Sequence, residues 1–355
     1  MLKIEVTERF APHLKFVNSS TYVDSNKRNK FVFQIKPDVT CYARPSDEEK
    51  TDSATAEIFT EFKWNAGDDA FCDFESSKCT NLNCLQEDHS FLNHSNAAID
   101  TLGQITSYAA AQLGAQFRTH AYSVLIVKDQ ARILRWDRSG TIVTEAIKYN
   151  EVPHLAEFFR RYSVASAVMR GKDETASVPS RYEKRVARKA CGWDAATPMV
   201  KLSVPGPDKS LHYFVVSAPE TTPYTPPGRA TRGFGAYDIS RERVVFLKDS
   251  WRIDLDGITP EGEVYAKLNA VSARNIPQCL ASGDISSSEY HATRTPIYAR
   301  SSWAAKGCSC HPNGPWIPHR HCRLVLDVYG RSLVDYESSH QMVSAVRDAL
   351  YGGFL

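Results

Sequence analysis

The sequence predicts an α+β chain built in two parts, each with its own core. Strand-like alternating runs interleaved with two helical patterns fill residues 1–165. A stretch dense in Arg, Lys, Asp, Glu and Ser follows at 166–195, and from 196 the pattern changes to strands with a single helix before residue 282. With 355 residues, 42% of them apolar and 24% charged, the chain is long enough for two cores and has the composition of ordinary globular domains. The expected domains are therefore 1–165, a charged connector at 166–195, and 196–355. The formal net charge of +2 provides no global drive toward nucleic acid or membrane. No apolar run approaches the ~20 residues of a membrane helix. Residues Met1 to Glu8 alternate and are acidic, unlike a secretory leader. Nine cysteines, an odd number in a large chain, suit reduced thiols. An intracellular protein, of cytoplasm or nucleus, is expected.

In the first part, residues 31–42 read as a strand interrupted at Pro37-Asp38, and residues 56–64 as a second strand. Strand side chains alternate, so Glu61 and Lys63 leave one face. Residues 101–113 follow as a helix with Gln104 and Tyr108 one turn apart on one side. Strands are expected at 122–127, 131–136 and 141–147. The spacing of Leu155, Phe158, Phe159 and Tyr162 predicts a second helix. At 135–140, Trp136 should pack inward, Asp137 to Gly140 should turn, and Arg135 and Arg138 should lie in solvent. The lone histidines His120 and His154 suit structural roles.

The connector should carry only short helical turns. Residues 199–204 and 211–216 predict a hairpin, and the proline-rich 219–227 an extended lead-in. Gly228, Gly233 and Gly235 are then expected in a turn between strand-like stretches, where glycines let backbone N–H groups approach phosphates. Val244 to Lys248 forms an apolar strand ending in a lysine fifteen residues past Gly233. A helix is expected from Pro260 to Leu268, with Glu261 placed to pair with Lys248 and Glu263 in reserve. Residues 282–314 read as a loop-rich insertion, 323–330 as a strand, and 341–351 as a helix.

The phrases at 228–234, 246–252, 319–325, 103–108 and 135–140 closely resemble the fungal-type protein kinase family, from about Pro37 to the end of the chain. The resemblance implies a small lobe of antiparallel sheet plus one helix, in a serine/threonine kinase that uses ATP and magnesium. It implies that Lys248 and Glu261 form the phosphate-contacting ion pair. It further implies that Gly228, Gly233, Gly235, Lys248, Leu326 and Val328 surround the nucleotide, with Leu326 at the gatekeeper position. Gly228 precedes Gly233 by five residues, and Gly235 falls where a valine usually covers adenine. No His-Arg-Asp and no Asp-Phe-Gly tripeptide occurs in the 355 residues, although Asp73-Phe-Glu and His319-Arg-His imitate them. The expectation is a catalytically incomplete form, a fragment or pseudokinase lacking most of the large lobe. Read without the resemblance, the glycines and lysine describe an ordinary hairpin.

Pro37-Asp38, then Glu61-x-Lys63, then Gln104-x-x-x-Tyr108 on a helix resembles the PD-(D/E)XK nuclease superfamily. The resemblance implies that Asp38 and Glu61 hold magnesium, that Lys63 activates water or steadies the phosphorane, and that Gln104 and Tyr108 support them. The fold class expected is thus a PD-(D/E)XK-like α/β domain followed by a kinase-like small lobe. Equally, Pro-Asp turns the chain and Glu61 pairs with Lys63 on an exposed face. Nucleic acid is expected as a partner only under the nuclease reading; a non-catalytic interaction protein is the third possibility. Two Cys/His groups, Cys308, Cys310, His311, His319, His321 and Cys322, and Cys72, Cys79, Cys84, His89 and His94, hold zinc-type ligands but lack paired C-x-x-C knuckles.

Overall fold

The structure, a computed structural model, describes residues 9–26, 34–73, 90–285, 289–304 and 316–352. It separates into two compact units. The first comprises residues 1–173, 223–230 and 292–319, and the second 174–222, 231–291 and 320–355. The division falls at Asp173, inside the expected connector, and two segments from the later sequence join the first unit.

The first unit contains β1 (Leu14–Asn18), β2 (Val39–Ala43), β3 (Ile58–Lys63), α1 (Asn96–Ala115), β4 (Ala121–Val127), β5 (Gln130–Asp137), β6 (Gly140–Val143) and α2 (His154–Val164). Its strands lie in sequence order in one sheet, antiparallel throughout except for the parallel pair β3 and β4. Parallel neighbours need a crossover rather than a hairpin, and α1 lies in it. Alternation along β4 splits its side chains between two cores. Leu125 and Val127 meet Ile105, Ala109 and Leu113 of α1, while Val124 and Ile126 meet Leu155, Phe159 and Tyr162 of α2. Both faces are covered, which is why β4 reads as an unbroken apolar run.

Three local expectations are corrected here. The strand expected from 31 to 42 begins only at Val39; residues 31–33 lie outside the described residues, and Pro37 has no N–H to give a ladder. The strand expected to 147 stops at Val143, because the Thr144 hydroxyl takes the Ile133 N–H at 3.1 Å; one bridge, Ala131 to Ile147, follows. The arginines beside Trp136 do not lie in solvent. Arg138 is 2% exposed and donates to the Leu113 and Pro226 carbonyls. Arg135 pairs with buried Asp137 at 2.9 Å. Trp136 does pack inward and donates to Ser123.

The second unit contains β7 (Ala176–Ser177), α3 (Arg181–Cys191), β8 (Val200–Pro205), β9 (Leu211–Val216), β10 (Arg232–Asp238), β11 (Arg243–Ile253), α4 (Glu261–Ala270), β12 (Cys279–Asp284), β13 (His319–Leu326) and α5 (Ser339–Gly352). Its sheet order is β12-β13-β11-β10-β9-β8-β7. The charged connector was expected to form only short turns, but 181–191 is a three-turn helix. Ser180 and Glu183 close a capping box at its start, and Gly192, at φ 67°, ends it in the left-handed region. Its Ala187 and Val186 rest on Met199, Val215 and Tyr237. Among the described residues no helix is long and apolar enough to cross a membrane.

Candidate functional site

In the second unit, β10 and β11 pair so that Gly233 faces Lys248 and Gly235 faces Phe246. Cross-strand partners share a face, so both glycines lie on the side from which Lys248 projects. Its ammonium reaches both carboxylate oxygens of Glu261, at 2.6 and 2.9 Å. Glu261 is the first residue of α4, where the helix dipole favours a carboxylate; Glu263 is exposed and takes no part in this pair. Between them, Gly262 sets the docking of the helix: a Cβ there would fall 2.1 Å from Ser282 Oγ on β12. Past β13, Tyr329 folds back over Gly235, where a Cβ would meet the ring at 2.8 Å. Its hydroxyl donates to Glu220 at 2.6 Å, and that bond and burial push the phenol up to about 12.

One residue beyond Lys248, on the opposite face, Asp249 anchors the sheet. It receives His321 at 2.7 Å, Arg323 at 2.8 Å and Arg232 at 2.6 Å, all buried. Burial opposes its ionisation, but His321, Arg232 and Arg323 together hold it well below the usual carboxylate range. Arg323 also donates to Thr175 and to the Ser203 carbonyl. The strands carrying Lys248, Gly233 and Leu326 are thereby tied at one buried point.

In the first unit, the five residues singled out in the sequence converge. Asp38 immediately precedes β2, and its carboxylate accepts the Phe62 N–H at 2.9 Å. Lys63 donates to Glu61 and to Gln104, both at 2.7 Å. Tyr108 donates to Glu61 at 3.2 Å and also meets the Lys36 carbonyl. Burial raises the Glu61 carboxyl above its ordinary value; the Lys63 hydrogen bond opposes this and the nearby Asp38 charge adds to it. Beside these groups opens a cleft of about 500 Å³ lined by Lys63, Asp68, Ala97, Asp100, Thr101 and Gln104.

A helix glutamate gripping a strand lysine, on strands ordered β9-β10-β11-β13-β12 with α4 between β11 and β12, is the ion pair expected of a kinase small lobe. The family model for fungal protein kinases matches residues 80–353. The chain belongs to the fungal protein kinase family. No curated protein and no solved structure gives a match. The match takes in Gln104 and Tyr108 and leaves Asp38, Glu61 and Lys63 outside.

Within the kinase-like sheet, the glycine cluster is not the turn expected. Gly233 and Gly235 are inside β10, and the hairpin turn to β11 lies at 239–242. Gly228 sits in the connection before β10, belongs to the first unit and donates its N–H to the Arg138 carbonyl. The ladder with β11 claims residues 232–238, so a turn there would unpair them. Leu326 is buried at the end of β13, while Val328 is 56% exposed. Sequence reasoning missed Gly262, Glu220 and Tyr329, because their roles arise from approaches between segments distant in the chain. It missed Asp68 and Asp100 for the same reason, although Asp100 stands four residues before Gln104 and shares its face. Of the two Cys/His groups, Cys308, Cys310 and His311, and Cys79, Cys84 and His89, lie outside the described residues. His321 serves Asp249 instead. Among the described residues no group of three or more His, Cys, Asp and Glu is placed to hold a metal.

Proposed function

We propose that the second unit binds a nucleoside triphosphate on the Lys248 face of its sheet, as the ATP-dependent serine/threonine kinases of this family imply. The observation that carries the reading is the two-oxygen grip of Glu261 on Lys248, which holds the ammonium on the face where Gly233 lies under the Phe246 ring and Gly235 under the Tyr329 ring. Lys248 would meet phosphate oxygens as a charged donor. The residues present fit the phosphates but not the magnesium that the family uses, since the carboxylate beside Lys248, that of Glu261, is taken up by the ion pair through both oxygens. No His-Arg-Asp or Asp-Phe-Gly is present to orient a hydroxyl or hold the metal. This chain by itself is therefore proposed to bind nucleotide without transferring phosphate, inside the cell. The test is titration with a fluorescent ATP analogue. Lys248→Met should weaken binding about 10-fold or more, the loss of one charge-assisted hydrogen bond. Tyr329→Ala, which clears the space over Gly235, should tighten it. Unchanged affinity in Lys248→Met would refute the reading, as would transfer of phosphate to a protein by the isolated chain refute its incompleteness.

A second reading is supported by the convergence of Asp38, Glu61, Lys63, Gln104 and Tyr108. The PD-(D/E)XK-like arrangement on β2, β3 and α1 suits a metal-dependent nuclease. Burial and, to a lesser extent, the Asp38 charge raise the Glu61 carboxyl, a cost that a hard cation would relieve, and magnesium commonly takes only one or two protein carboxylates. A bound magnesium would supply positive charge to a phosphodiester. The chain's own contribution is Lys63, fixed between Glu61 and Gln104 at the wall of the cleft. Plasmid nicking in magnesium that is lost in Asp38→Ala and Lys63→Ala would support this; no nicking by a folded sample leaves a binding role.

A further inference from the structure

We propose that the outward face of α3 binds the backbone of single-stranded nucleic acid. The helix Arg181–Cys191 holds five basic residues against one acidic, a surplus of four, whereas the whole chain has a net charge of only +2. All other residues together are therefore net negative, so this one element carries a local surplus that the rest of the chain lacks. Arg181, Lys184, Arg185 and Arg188 recur at i, i+3, i+4 and i+7, one stripe along the helix. At ~1.5 Å per residue the stripe is about 10 Å long, which matches about three phosphates of a strand stacked at the ~3.4 Å per-strand rise of the helix.

The single acid does not neutralise the stripe. Glu183 is committed to the Ser180 cap and to Lys201 at 3.2 Å. Among the described residues, Arg181, Lys184, Arg185 and Lys189 have no ion-pair partner. Arg188 is oriented by its bonds to the Asp194 and Ala195 carbonyls. The other side of the helix is sealed: Ala187 is fully buried, packed with Met199, Val215 and Tyr237. An anionic bilayer is thus disfavoured, because an interfacial helix needs a free apolar face to sink. Tyr182 decides between nucleic acid and an acidic peptide. It is 59% exposed, and the Arg185 guanidinium lies 5.4 Å from its ring centre. An aromatic ring backed by guanidinium is a platform for a base, sequence-tolerant because every base has a π-face. Carboxylates have no use for it.

The test is fluorescence anisotropy of the full chain with labelled twenty-nucleotide oligo-dT and oligo-U. With about three phosphates neutralised, the logarithmic salt slope should be near −2, so that affinity falls roughly 15-fold between 50 and 200 mM salt. Arg181→Glu/Lys184→Glu/Arg185→Glu should lower affinity at least tenfold and flatten the slope, with far-UV circular dichroism unchanged. An equal charge change at exposed positions elsewhere, Lys148→Glu/Lys209→Glu/Arg331→Glu, should leave affinity within threefold. Tyr182→Ala should weaken oligonucleotide binding about fivefold or more and leave any polyglutamate binding unmoved. The proposal is overturned if neither oligonucleotide binds at 50 mM salt, or if the control triple loses as much as the α3 triple. It is equally overturned if polyglutamate or phosphatidylserine vesicles bind as tightly as the oligonucleotides.

Discussion

Replacing Asp249 with alanine should unfold the second unit more readily than any other single polar change in it. The carboxylate is 1% exposed and receives two guanidinium groups and an imidazole within 2.6–2.8 Å. Removing it leaves two guanidinium groups and an imidazole buried without their acceptor. Breaking one side of a buried ion network costs about 3–5 kcal/mol. For a unit of this size, 1 kcal/mol corresponds to roughly 4 °C, so the melting temperature should fall by about 12–20 °C. Asp249→Asn keeps an acceptor and the shape but not the charge, and should lie between the wild type and Asp249→Ala. Scanning calorimetry, following the transition that shifts with ATP, is the measurement. The sign in pH follows from a folded-state pKa lying below the unfolded one. The contribution is present above about pH 4, the unfolded value, and is lost as the pH falls through the depressed folded value. A melting temperature for Asp249→Ala within 3 °C of the wild type would refute the argument, and with it the claim that this network fixes the strand carrying Lys248.

Three further outcomes are expected. Glu57, gripped by Arg118 at 2.9 Å and Tyr162 at 2.8 Å, is held at about 2 against burial by Arg118 and Lys172. The first unit should therefore lose about 3 kcal/mol as pH drops from about 4.5 toward 2, and Glu57→Gln should abolish that dependence in acid unfolding followed by tryptophan fluorescence. Lys172 is lowered to about 8, by burial first and then by the Arg118 charge, despite its pairing with Glu57. With about a third of its side chain exposed, it should acylate faster at pH 8 than the other lysines, as read by peptide mass spectrometry; equal labelling would count against it. Gly262→Ala places a Cβ on Ser282 Oγ and should cost about 1–3 kcal/mol by forcing α4 outward. Ser282→Gly in the same chain should recover most of that loss in urea unfolding.

Periodicity alone marked the buried runs. The unbroken apolar stretch of β4, the 3.6-residue pattern of α2 and the spacing that puts Gln104 above Tyr108 are local signals, and each survives in the fold because local geometry repeats. Lys248 and Glu261 were legible as a pair through the resemblance to protein kinases, and they meet on adjoining elements. Where the sequence misled, a competing partner had taken the backbone. Gly233 and Gly235 suggested a turn, but seven ladder pairs with β11 outweigh glycine's turn preference. The charge-rich 181–191 suggested a connector, but a capping box and a glycine cap made it a helix.

What the order of residues determined by itself is the set of elements, the side each presents to a core, and the chemical types offered for phosphate and cation. Only the tertiary structure decided which of those groups meet. The clasp of Tyr329 over Gly235, the fit of Gly262 against Ser282, the hold of Arg232, His321 and Arg323 on Asp249 and the acidic cleft wall of Asp68 and Asp100 all depend on strand order and helix docking. Those depend on long-range burial, whose free energy is non-directional and leaves no period in the chain.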